Sequence, residues 1–169
     1  MNKGVNNKIE ELQNAIGINK FNNLIKDKVE WLFFIGVQLF LVTGKEASKF
    51  EHIIPGGKVV WEKDRIPKKP LQLMINLTGF KGISVLASFL HECGHINNKD
   101  KKSISFQTQE SEISAWQHAA NDFILSNPNA DERSEFYEII YHSLSTYEVN
   151  PLVVGERFNN ILFKTKNRT

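Results

Sequence analysis

The residues of this chain best suited to chemistry stand together as His91-Glu92-Cys93-Gly94-His95. The pattern is H-E-x-x-H. The residues before it, 83–90, are apolar with few breakers, so the spacing predicts one helix running through both segments. Residues four apart on a helix project from one face, one above the other. His91 and His95 can therefore offer ring nitrogens to a single ion. A third ligand must come from elsewhere, and an open fourth position would hold water, the arrangement of catalytic zinc. Glu92, offset by one residue, falls beside the ion, where a carboxylate can take a proton from that water.

The flanking residues support a buried site. Leu86, Phe89 and Leu90 make the helix apolar, and a buried His or Glu needs a partner. Gly94 costs a helix about 1 kcal/mol relative to Ala, which is explicable if something must approach the backbone there. Cys93 lies on the opposite side of the helix from the two His and reads as a small buried apolar side chain rather than a ligand.

Other elements must position this helix. Ile9, Leu12 and Ile16 predict a short amphipathic helix over residues 6–16, ended by Gly17. A second helix is expected from Asn19 or Asn22 to Thr43, stopping at Gly44. It takes in the apolar run at 31–42, which is shorter than the roughly 20 residues a bilayer span needs. That run follows a mixed-charge leader, so neither a membrane span nor a secretory signal is expected. Pro55-Gly56-Gly57 is a turn, residues 58–61 a short strand, and residues 67–70 a break. Residues 71–77 alternate, with Leu71, Leu73, Ile75 and Leu77 on one face of a half-buried strand. Such a strand, if it lies at a sheet edge, could pair with an extended peptide; a purely structural role is equally compatible. Residues 97–108 are polar and lysine-rich and read as a solvated loop. Helices follow over 109–125, over 130–143 behind an Asn129/Glu132 capping box, and from Pro151, capped by Asn150, to 163. Residues 164–169 form a basic tail.

The chain has 169 residues, 41% hydrophobic and 24% charged, enough for one domain with a real core. Lys and Arg number 21 against 19 Asp and Glu. That near balance gives no argument for nucleic acid or membrane as a partner. A single cysteine excludes an internal disulfide framework and fits a reducing, cytoplasmic compartment. No Ser-His-Asp elbow, G-x-G-x-x-G or P-loop is present.

Candidates for the third ligand are Glu110, Glu112, His118 and Asp122, all on the helix after the loop. HECGH followed by a polar loop and then Glu112-x-x-Ala115-x-x-x-Ala119 resembles the ImmA/IrrE family of metallopeptidases. The resemblance covers residues 55–160, and residues 1–45 have no counterpart in it. It implies an α+β, zincin-like fold, mostly helical around a small β-sheet; length and helical spacing make residues 1–169 one domain. N-terminal helices would occupy 1–45, a zinc-binding core 46–128, and C-terminal helices 129–169. The resemblance further implies zinc held by His91, His95 and Glu112, a gluzincin-like set, with Glu92 as general base. The implied activity is hydrolysis of a protein substrate, a helix-turn-helix repressor of a mobile element or stress regulon. The family's polar residue four positions after the Glu ligand is Trp116 here. Such a polar group would orient a ligand His, so a non-catalytic, zinc-stabilised module or a toxin–antitoxin component that sequesters a regulator is the alternative. For a donor to the oxyanion the candidates are His118, Tyr137, Tyr141, His142 and Tyr147, with Tyr137 and Tyr141 better suited to core packing.

Overall fold

A computed structural model describes residues 3–43, 56–63, 69–78, 81–98 and 109–163. The expected stop at Gly44, the turn residue Pro55, Pro67, the end of the strand at Gly79, the loop over 99–108 and the tail at 164–169 lie outside the described residues.

The chain begins with helix α1 (Lys3–Ile16), whose buried positions Val5, Ile9, Leu12 and Ile16 form one stripe. A one-turn 3-10 helix (Asn19–Phe21) leads into α2 (Asn22–Phe34). Here the expectation of a helix to Thr43 is wrong. The apolar run is divided at Gly36, which has φ +83°. The Gly36 amide donates to the Phe33 carbonyl at 3.1 Å and the Val37 amide to the Leu32 carbonyl at 2.9 Å. This paired closure with a left-handed glycine ends a helix. The chain leaves it as strand β1 (Gln38–Val42).

Strands β2 (Gly57–Trp61) and β3 (Pro70–Asn76) complete a sheet of order β1-β3-β2. β1 runs parallel to β3, pairing Gln38 with Gln72 through Val42 with Asn76. β2 is antiparallel to β3, with an irregularity between Val60 and Trp61. Leu73 and Ile75 are buried on β3, as the alternation predicts, whereas Leu71 at its start is exposed. β3 is the central strand, so it cannot itself offer a free edge to a peptide. Among the described residues, the edges are β1 and β2.

Helix α3 (Ile83–Asn98) carries H-E-x-x-H and is buried on almost every side, from Ile83 through Ile96. It packs against α1, β2, β3 and the two helices that follow, α4 (Gln109–Ile124) and α5 (Ala130–Ser145). α5 begins with the expected capping box: the Asn129 side chain accepts from the Glu132 amide, and the Glu132 side chain accepts from the Asn129 amide. Helix α6 (Pro151–Leu162) begins on Asn150, whose side chain accepts from the Leu152 amide. The architecture is α+β, and no helix among the described residues is long and apolar enough to cross a membrane.

Candidate metal centre

Two helices build the site. α3 supplies His91 and His95 from adjacent turns, and α4 supplies Glu112 from its first turn. A carboxylate is favoured there because the unpaired amides of a helix start attract negative charge. The α4 start is fixed in turn by Gln109, whose side-chain amide donates to the carbonyls of Tyr147 (2.8 Å) and Glu148 (3.2 Å).

The close approach of α3 and α4 depends on small residues. A Cβ added at Gly94 would fall on the Ala115 carbonyl oxygen and lie 3.0 Å from Ala115 Cα. The helix cost of Gly94 thus has its explanation in the contact with α4. Ala115 and Ala119 are both fully buried.

All three ligand candidates are buried, and their donor atoms converge. His91 Nε2 lies 3.1 Å from Glu112 Oε1, and His95 Nε2 lies 2.9 Å from Glu112 Oε2. The two imidazole Nε2 atoms are 3.2 Å apart. A tetrahedral ion with ligand bonds of about 2.0–2.1 Å separates its ligands by roughly 3.3 Å. The donors therefore stand at nearly the spacing an ion between them would impose. Three electron-pair donors brought this close in a buried space are the donor set a cation needs, so His91, His95 and Glu112 could hold a metal ion. Burial acts to raise the Glu112 pKa, but hydrogen bonds from His91 and His95 outweigh it and hold the carboxyl at about 2. The group is ionised, as a ligand must be.

Glu92 stands beside this cluster, its Oε2 3.9 Å from His91 Nε2. Strand β2 runs against it: a Cβ at Gly57 would lie 2.8 Å from Glu92 Cγ. Gly57 lets the sheet edge pass next to the carboxylate. The signal was present in the Gly56-Gly57 pair, since glycine in a strand often marks a close approach.

The other ligand candidates are turned to different work. Glu110 is exposed, with Arg157 3.6 Å away. Asp122 forms an ion pair with Lys28, Oδ2 to Nζ 2.6 Å, and lies 3.2 Å from His118 Nε2. Asp122 thus joins α4 to α2, and neither it nor His118 is part of the His91 cluster. Burial lowers the His118 pKa, partly opposed by Asp122. Cys93 is fully buried and its thiol is pushed far up by that burial, which suits an apolar core residue. Of the oxyanion candidates, Tyr137 lies against Phe163 with ring centroids 5.6 Å apart, Tyr141 edges onto His142 at 5.9 Å, and His142 is solvated beside Glu138. Tyr147 is half-buried against the core; burial raises its pKa, and the charges of Glu112 and Glu92 raise it further.

Trp116 is the residue whose role sequence reasoning missed. It stacks on His91 with ring centroids 4.1 Å apart and an interplanar angle of 18°. Its place four residues after Glu112 was the available signal, because that spacing puts both on one helix face.

No family model, curated protein or solved structure matches this chain.

Proposed function

We propose that the protein is a zinc-dependent endopeptidase that cleaves a protein substrate. The observation that carries this reading is the convergence of His91, His95 and Glu112 with the Glu92 carboxylate alongside. Two His and one Glu, with a fourth position left to water, make up a catalytic zinc set. Bound zinc would supply Lewis-acid polarisation of water and of the scissile carbonyl. His91, His95 and Glu112 would hold it. Glu92 accepts the proton of the attacking water and returns it to the departing amine. Of the candidate oxyanion donors, Tyr147 is the one whose titration responds to the charges of Glu112 and Glu92, which supports it for that role. An extended substrate adding to the β2 edge would pass next to Glu92, since Gly57 sits against that side chain.

The resemblance to ImmA/IrrE metallopeptidases supports the same reading and narrows the substrate to a helix-turn-helix repressor. A second reading, a zinc-stabilised module that grips a regulator without cutting it, is favoured by one observation. Among the described residues His91 Nδ1 is buried with no hydrogen-bond partner, where a zinc enzyme usually orients its ligand His with a polar group. The two readings separate in one experiment. Zinc-loaded wild type and Glu92→Gln are incubated with a fluorogenic peptide library and with a helix-turn-helix repressor. Cleavage by wild type alone supports the peptidase. Zinc in both and cleavage by neither supports the module.

A further inference from the structure

His91 is held in an unusual way. A ring that binds metal through Nε2 carries its proton on Nδ1, and an acceptor at that proton normally fixes the ring's orientation. In His91 the Nδ1 atom is buried, and no described residue accepts from it. Yet the ring is tightly confined. The Trp116 indole covers its face at 4.1 Å and 18°. The indole is fixed at its far end, where Nε1 donates to Ser143 Oγ on α5 at 3.0 Å. Phe136 meets Trp116 edge-on with centroids 6.1 Å apart. Behind it Phe136 stacks on Phe123 at 4.1 Å, and Phe123 on Phe21 at 5.3 Å. Phe21, Phe123 and Phe136 are all fully buried, and Trp116 is 3% exposed. An aromatic column thus runs from the N-terminal elements through the core to the metal ligand.

We propose that Trp116 is the positioning residue of the metal centre, fixing the plane of the His91 ring by stacking where a hydrogen-bond acceptor would otherwise do so. The inference rests on the reading of His91, His95 and Glu112 as a metal site. A flat, rigidly anchored face restricts ring tilt, which a single hydrogen bond to Nδ1 does less completely. Among the described residues it leaves the Nδ1 proton without an acceptor, so the orientation of His91 depends on the shape of its neighbour. Affinity and ligand geometry should then follow the flatness of residue 116 rather than its polarity.

The test uses metal-free full-length protein, zinc affinity by competition with a chromophoric chelator, and the visible spectrum of the Co2+-loaded form. Trp116→Phe keeps a flat face and should bind zinc close to wild type with the same cobalt bands. Trp116→Leu, which keeps an apolar group but no flat face, should weaken zinc about 10- to 100-fold and alter those bands. A folded Trp116→Leu variant with wild-type affinity and spectrum would overturn the proposal. Should that variant fail to fold, two measurements decide. Ser143→Ala, which frees the indole, should also weaken zinc. Zinc added to the metal-free protein should change an emission component that Trp116→Phe lacks while Trp31 and Trp61 remain. Wild-type affinity in Ser143→Ala together with an emission unchanged by bound zinc would overturn it. Wild type that takes up no zinc would remove the metal-site reading itself, a result distinct from either of these.

Discussion

Glu92 and Glu112 are both carboxylates at the candidate metal site, and their surroundings differ. Glu112 is 3% exposed and receives both imidazoles. Glu92 stands one position round the helix, 3.9 Å from His91 Nε2, and faces the glycine of a sheet edge. Replacing Glu92 by Gln should therefore leave zinc content unchanged and lower peptide hydrolysis by about 10²- to 10⁴-fold, the usual contribution of a general base. Hydrolysis at the wild-type rate in that variant would remove Glu92 from the mechanism. Glu112 makes a separate prediction for the metal-free protein. Its folded pKa, about 2, lies below the ordinary 4.5, so the fold favours the ionised form. Its stabilising contribution is complete above pH 4.5 and is lost as the pH falls towards 2. Acid unfolding of Glu112→Gln should accordingly be less steep than that of wild type across this interval, and parallel curves would contradict the assignment. At this scale the sequence was informative where the chemistry is local. H-E-x-x-H is one turn of one helix, and its geometry follows from helical spacing. Glu112 lies across a loop, so residue types alone left Glu110, His118 and Asp122 beside it. Trp116 was visible as a residue but not as a ring stacked on His91, because that contact exists only once α3 and α4 have packed.

The decisive event among the elements is the packing of α3 on α4, and Gly94 permits it. An alanine there gains about 1 kcal/mol of helix propensity. Its methyl group would nonetheless meet the Ala115 backbone, which cannot give way as a side chain can. Gly94→Ala should be destabilising by about 1–3 kcal/mol overall. It should also weaken zinc, because any separation of the helices moves Glu112 away from both His. A thermal melt and a zinc titration check this, and a variant more stable than wild type with unchanged zinc affinity would contradict it. Capped helices were legible in the sequence: Asn129 with Glu132, and Asn150 with Pro151, mark their starts by local hydrogen bonding. The apolar run at 31–42 was not. A short stretch of buried residues has the same composition as helix or strand, and periodicity does not separate them. The division falls at Gly36, and it is settled by β3, which pairs with Gln38–Val42 along its whole length. That partner lies some thirty residues further along the chain, beyond the reach of any local pattern.

At the scale of the molecule, α3 is the element against which β2, β3 and the helices α1, α4 and α5 pack. Its apolar positions join the core, while two of its side chains face the donor from α4. Without an ion, that arrangement holds three donor groups close together in a buried space. Binding should therefore stabilise the whole fold. At free zinc about 100 times the dissociation constant the gain is about 2.7 kcal/mol, or a rise in Tm of roughly 5–10 °C for a chain of this size. Chelation should reverse it, and a Tm indifferent to both would argue against a preformed site. The α+β class was legible from alternation and helical spacing. The strand order was not, since β2 lies outside β3 although it precedes it in the chain. That order places a sheet edge beside Glu92.

The central claim is that His91, His95 and Glu112 bind one zinc ion, and metal analysis of purified protein tests it most directly. Zinc per chain is measured in wild type and in Glu112→Ala after equilibration with zinc and removal of the excess. The account predicts one zinc per wild-type chain and a clear loss in the variant. Folded wild-type protein that retains no zinc after this treatment would contradict it.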